Sequence, residues 1–231
     1  MSTKYGQFCP IAKATEVIGE RWTILILREL LLGTTRFSDF QRALSQISPT
    51  LLTKRLGQLV DHGLVVRKKS PVGKRVEYFL TAAGKELGPI VTELGVWGMR
   101  WARGQMSDDE LDVELLMYDF CRQLDPDTLP GGTTVLHFAF AGLENFPQWW
   151  IVVEEGKPVL CVDHPGRDVD VCVRTDIRTM IQIYAGDVSL SSVRREGRLE
   201  VSGSALLERS IAKWMPRMAL AHVEAAEAVE A

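Results

Sequence analysis

The stretch Ser48-Pro49-Thr50-Leu51-Leu52-Thr53-Lys54-Arg55-Leu56-Gly57-Gln58-Leu59-Val60-Asp61-His62-Gly63-Leu64 decides the fold of the first half of this 231-residue chain. Its local signals agree on a short, capped helix. Ser48 is placed to accept a hydrogen bond from the first free backbone N–H groups, Pro49 stands where its missing N–H costs nothing, and Gly63 suits a left-handed closing residue. Leu52, Leu56, Leu59 and Val60 fall at i, i+4, i+7 and i+8 and make one buried stripe. Thr50, Thr53, Lys54, Gly57 and Gln58 turn the other way, presenting hydroxyls, an amide, a positive charge and one gap small enough for close approach. Such a face suits a DNA groove. A polar outward face also describes any solvated surface helix, so the neighbouring elements decide.

Upstream, the pattern predicts a helix from Cys9 to Gly19 and a second from Glu20 to Leu32, apolar nearly all round and therefore central. Gly33-Thr34-Thr35 breaks the chain before a third helix over Arg36–Leu44, anchored by Phe37, Phe40 and Leu44. The turn Ser45-Gln46-Ile47 then gives a helix-turn-helix. Downstream, Leu64–Lys69 and Arg75–Leu80 read as two strands joined by Ser70-Pro71-Val72-Gly73-Lys74, a β-hairpin with a basic tip. Helix, turn, helix and hairpin in that order predict a winged helix. The expected DNA contacts are Ser48, Thr50, Thr53, Lys54 and Gln58 at base edges or nearby phosphates, with Arg55 at their flank and Arg36 as a further contact, and Lys68, Lys69, Lys74 and Arg75 of the wing touching phosphate only. A long helix over Thr81–Arg103, bent near Pro89, carries an apolar stripe too long for so small a core. Leu87, Val91, Leu94, Trp97 and Trp101, joined by Tyr5 and Phe8, are the expected homodimer seam, and two related recognition helices would read an inverted repeat.

Charge divides the chain in the same place. Residues 1–105 hold 16 Lys/Arg against 8 Asp/Glu, a balance of +8, while 106–231 hold 11 against 22, a balance of −11. Only the first half is expected to meet a polyanion. There is neither a basic-then-apolar leader nor a long uninterrupted apolar run, which predicts a cytoplasmic chain without membrane contact. Four scattered cysteines argue against a zinc module or a disulfide framework, and no metal or cofactor is expected. Cys9 stands apart because it precedes Pro10 at a helix start with Lys13 nearby, a setting that lowers thiol pKa values, although it also reads as an ordinary small residue at a helix entry.

Cys9-Pro10-Ile11-Ala12, Gly19-Glu20-Arg21-Trp22-Thr23, Leu25-Ile26-Leu27-Arg28-Glu29-Leu30, Arg36-Phe37, Ile47-Ser48-Pro49 with Leu52, Arg55-Leu56 and Leu59, Gly63-Leu64-Val65 and Val76-Glu77-Tyr78 together resemble the HxlR-type transcriptional regulators. The resemblance covers about the first 105 residues. It implies a dimeric winged-helix DNA-binding protein of bacterial type, in which Cys9 matches a cysteine that serves some members as a redox sensor. Thr50 stands where the family often has a basic residue, so base preference does not carry over. The chain also continues far beyond a typical member.

In the second half, Ser107-Asp108-Asp109-Glu110 has the form of a capping box opening a helix through Cys121. Thr133–Phe140, Gln148–Val153, Pro158–Val162 and Val169–Val173 read as strands. Ile177–Tyr184 and Val188–Arg195 read as helices, Arg198–Val201 as a last strand, and Ser204 to the end as a long amphipathic helix. The expectation is a mainly α winged helix-turn-helix domain over 1–105, followed over 106–231 by an α+β domain with an antiparallel sheet and helices on one side. Asp168–Val173, Met180–Ile183, Gly186–Leu190 and Gly197–Gly203 resemble the sterol carrier protein type of lipid-binding domain, which implies an apolar tunnel and a hydrophobic small-molecule effector. Phe138, Phe140, Trp149, Trp150, Met180 and Trp214 are candidate lining residues, and equally candidate core. Hydrolase, nucleotide and metalloprotease motifs are absent and the four histidines are isolated, so no catalytic residue is expected. Three readings remain open: a ligand-responsive regulator, a lipid carrier whose winged helix binds protein, and a thiol sensor acting through Cys9.

Overall fold

The structure, a computed structural model, describes residues 4–69, 75–103, 107 and 110–226. The chain forms two compact units, Met1–Gly98 and Met99–Ala231. The first contains α1 (Pro10–Ile18), α2 (Thr23–Leu31), α3 (Phe37–Ala43), α4 (Pro49–Asp61), β1 (Val65–Lys69), β2 (Val76–Leu80), α5 (Ala82–Glu86) and α6 (Gly88–Trp97). Its core joins Ile26, Leu27 and Leu30 of α2, Phe40 of α3 and Leu52, Leu56 and Leu59 of α4, so the leucine stripe read from the sequence is the buried one. β1 and β2 pair antiparallel from Val65↔Leu80 to Lys69↔Val76. The hairpin tip, with Lys74, lies outside the described residues.

Two expectations for this unit change. Leu25 of α2 and Leu32 just beyond its end are exposed, so that helix has an outer side. The single helix expected over Thr81–Arg103 is interrupted at Leu87, between α5 and α6, and gives way to a π-helical turn over Gly98–Ala102. Pro89 is the cause of the interruption, since it has no N–H for the carbonyl one turn back and its ring crowds that carbonyl. Leu87 N–H instead closes a tighter turn on the Gly84 carbonyl at 3.3 Å.

The second unit contains α7 (Val113–Gln123), β3 (Thr134–Ala141), β4 (Gln148–Glu154), β5 (Lys157–Cys161), β6 (Val171–Asp176), α8 (Ile177–Ala185), α9 (Leu190–Arg195), β7 (Leu199–Gly203) and α10 (Ala205–Trp214). It is α+β as expected. Residues of α7, α8, α9 and α10 share one core with Leu136, Phe138 and Phe140 of β3, Ile151 and Val153 of β4, Val171 and Val173 of β6 and Leu199 of β7. The sheet order is β5-β4-β3-β6-β7, and β3 and β6 run parallel, so the sheet is mixed where an antiparallel one was expected. β5 and β6 point the same way, and the chain leaving β5 must therefore travel back along the sheet before β6 starts. Residues 162–170 make that return, pinned by the Asp170 carboxylate, which accepts from Val135 N–H at 2.8 Å, and by Arg167, which donates to Glu154 at 3.1 Å.

Helix boundaries at the two ends of this unit also shift. Ser107 N–H donates to Glu110 at 2.8 Å, half of the expected capping box, yet α7 starts only after Asp112, whose carboxylate accepts from Leu115 N–H at 2.9 Å. The final helix stops at Trp214 because Pro216 cannot continue it.

Candidate nucleic-acid interface

The capping read from the sequence is present on α4. Ser48 Oγ accepts from Leu51 N–H at 3.3 Å, Pro49 occupies the first turn, and Gly63 takes a positive φ of 70° just beyond the end. Ser48, Thr50, Thr53, Lys54 and Gly57 are exposed. Thr53 donates its hydroxyl to the Pro49 carbonyl at 2.9 Å, which leaves its oxygen free to accept from outside.

Arg55 does not share that face. It is 9% exposed, its Nε donates to the Arg21 carbonyl at 2.9 Å, and its guanidinium pairs with the Glu20 carboxylate. Gln58 is half-buried beside it, its amide oxygen accepting from Arg55 Nη1 at 2.7 Å. These two side chains tie α4 to the turn ahead of α2, where Trp22 sits in a left-handed conformation with φ of 78°. A charged pair removed from solvent in this way fixes an angle between helices rather than offering a cation to a ligand.

The wing divides its charges by strand geometry, because adjacent residues of a strand point to opposite faces. Lys68 lies over the Phe79 ring at 5.4 Å. Lys69 shares the other face with Arg67 and with Tyr78, whose ring meets Phe40 edge-on at 6.4 Å. Arg67 is exposed and was not among the sequence candidates; the alternation of β1 is the signal that finds it. Arg75 is exposed. Arg36 is also exposed, but Glu77 pairs with it at 3.3 Å and the two residues form a β-bridge, so the chain ahead of α3 extends the wing by one short segment. Lys74 lies outside the described residues.

Of the proposed seam, Tyr5, Phe8 at 99% exposure, Leu94, Trp97 at 58% and Trp101 at 50% are open to solvent. Leu87 and Val91 instead pack against the core of their own unit, and Ile90 and Ile11 are exposed in addition. Leu87 and Val91, at the start of α6, lie over that core, whereas Leu94 and Trp97 further along the same helix are exposed. Tyr5 N–H donates to Glu16 at 2.8 Å, and this bond holds the Glu16 carboxyl below its ordinary range while fixing the N-terminal segment along α1. Cys9 is half-buried at the start of α1 and its side chain makes no cap.

In the second unit Phe138, Phe140, Trp149, Met180 and Trp214 all lie in the common core. Phe120 meets Phe138 edge-on at 5.1 Å, and Trp214 Nε1 donates to the Leu207 carbonyl at 2.9 Å. Trp150 is on the opposite face of the sheet, stacked on His137 at 4.8 Å with His164 at its edge. Burial holds His137 below its ordinary range. Among the described residues no group of three His, Cys, Asp or Glu is placed to hold a metal, and no helix is long and apolar enough to cross a membrane.

Comparison with known proteins follows the same division. The HxlR-like helix-turn-helix family matches residues 17–106, and the SCP-2 sterol transfer family matches residues 122–215. The uncharacterized HTH-type transcriptional regulator YvaP of Bacillus subtilis is 39% identical over 98 residues, which cover 42% of this chain and 91% of YvaP. An HTH-type transcriptional regulator of Methanothermobacter thermautotrophicus is 37% identical over 103 residues, 44% of this chain and 79% of that protein. The solved structure of the redox regulator HypR in its oxidized form aligns at 33% identity with a TM-score of 0.38, over 43% of this chain and 99% of that one. With its helix-turn-helix, its hairpin and a match over 91% of YvaP at 39% identity, the chain belongs to the HxlR-like helix-turn-helix family of transcriptional regulators and carries a region matching the SCP-2 sterol transfer family behind it.

Proposed function

We propose that the chain is a homodimeric transcriptional regulator whose residues 1–105 bind an inverted repeat in double-stranded DNA and whose residues 106–231 adjust that binding in response to an apolar small molecule. The observation that carries the DNA part is the outward face of α4, where Ser48, Thr50, Thr53 and Lys54 are exposed on a helix whose other side is locked into the core. Hydroxyl and ammonium groups on a rigid helix are suited to base edges in a major groove, while Arg67, Lys69 and Arg75 at the wing supply phosphate contacts without sequence information. The exposed Ile11, Ile90, Leu94 and Trp97 with the Tyr5–Phe8 segment form the dimer seam, since so much apolar surface in one small unit marks an association site. Selecting a random DNA pool on the purified chain tests this. An enriched inverted repeat with half-sites about one helical turn, ~10 bp, or a multiple of it apart supports the reading; a pool that stays random contradicts it.

The SCP-2 match over residues 122–215 supports the ligand part. Phe138, Phe140, Trp149, Met180 and Trp214 share one packed core, so a ligand of this class enters by parting them. Its effect on DNA affinity is bounded by its preference between two states of the dimer, about 1–3 kcal/mol, and DNA must alter ligand affinity equally. Titrating a fluorescent fatty acid into the full chain, with and without the selected DNA, measures both sides of that equality.

A further inference from the structure

Gly57 is in the middle of α4 and on its outside. Thr50, Thr53, Lys54, Gly57 and Asp61 follow at i, i+3, i+4, i+7 and i+11, all exposed, so Gly57 lies on the midline of the outward face. Its backbone is ordinary right-handed helix, which any residue adopts, and a Cβ built there would meet nothing within 4 Å. The contrast with Gly84 is instructive. There a Cβ would stand 2.2 Å from the Leu64 carbonyl oxygen, so packing inside the unit demands glycine. At Gly57 neither packing nor conformation does, and a glycine inside a helix lowers the folding equilibrium about five-fold relative to alanine. The reason for glycine at 57 is therefore outside the chain.

We propose that Gly57 is the point where a DNA strand passes over the recognition helix at contact distance with the helix backbone. The inference rests on the DNA-binding reading above and refines it. Thr50, Thr53 and Lys54, on the first two turns, reach into the groove, and Asp61, one turn beyond Gly57, presents an exposed carboxylate that must stand clear of phosphate. Between them the helix has to leave the groove across its wall, and the sugar–phosphate strand crosses at Gly57, where the missing side chain lets it come closest.

The test uses the full chain carrying Gly57→Ala and Gly57→Leu on the selected DNA site. Alanine is expected to raise the melting temperature by a few degrees, as an exposed helical Gly→Ala change does, while weakening the selected site about ten-fold. Leucine should weaken it further. Because no charge is lost, the dependence of affinity on salt should keep its slope for both variants. Unchanged affinity for both, with wild type still selecting a site, overturns the proposal and leaves the DNA reading intact; a wild-type chain that selects no site removes the reading beneath it. Weaker binding accompanied by a lower melting temperature also overturns it, since the loss would then come from the fold.

Discussion

The two units solve opposite problems. Residues 1–98 keep a small core and leave both a polar helix face and several large apolar side chains in solvent, whereas residues 99–231 draw Phe120, Phe138, Phe140, Trp149, Tyr184 and Trp214 into one core. Their charge balance differs in the same sense, basic in the first and acidic in the second. A unit that leaves Phe8, Trp97 and Lys54 exposed at once is built around what it touches; a unit that buries Trp214, Phe120 and Met117 is built around its interior. Substitutions should therefore fail differently, through affinity in the first and through stability in the second.

The largest effect is expected at Trp214. Truncation to alanine removes a side chain 1% exposed together with its hydrogen bond to the Leu207 carbonyl, which should cost about 3–5 kcal/mol in denaturant unfolding of the second unit. A loss below ~1 kcal/mol would mean that this core has slack, and the contrast between the units would weaken. Next comes Arg55. Replacing it with methionine keeps its bulk but removes its bonds to the Glu20 carboxylate and the Arg21 carbonyl, so the first unit should lose about 1–3 kcal/mol of stability and bind every DNA sequence less well. If stability holds while only the selected site suffers, Arg55 reads DNA after all.

Smaller effects sharpen the comparison. Arg67→Ala and Lys69→Ala should each reduce the slope of log affinity against log salt by about 1 with no loss of sequence preference. Lys68, over Phe79 on the other face, should change the slope less, and equal slopes for all three would show that the wing presents its tip rather than one face. In the second unit burial pushes the Cys121 thiol up to about 12, so it stays protonated through neutral and mildly alkaline solution. Alkylation of the native chain at pH 8 should leave Cys121 unmodified until denaturant is added; modification at the rate of a free thiol would show that the core opens readily.

The caps of α4 are legible in the sequence, whereas pairings between distant residues are not. Ser48, Pro49 and Gly63 define α4 because caps act within one turn. Arg55 follows Lys54 and looked like part of the same basic face, but its partner Glu20 is 35 residues away and nothing local announces an inward cation. Pro89 signals the break at Leu87, but not which members of the stripe meet the core: Leu87 and Val91 do, while Leu94 and Trp97 of the same helix stay exposed. The parallel β3–β6 pair depends on where residues 162–170 run, which alternation along a strand does not encode. Trp149 and Trp150 are adjacent and were grouped as one lining; strand alternation alone sends them to opposite faces.

The claim that the outward face of α4 reads DNA is tested most directly by the affinities of Thr50→Ala and Thr53→Ala for the selected site and for random DNA, measured by fluorescence anisotropy at one salt concentration. Both positions are exposed and neither supports the core, so folding should be unchanged. The account predicts a loss of about 1–3 kcal/mol on the selected site for at least one of the two variants and little change on random DNA. Equal losses on both kinds of DNA, or none on either, would contradict it.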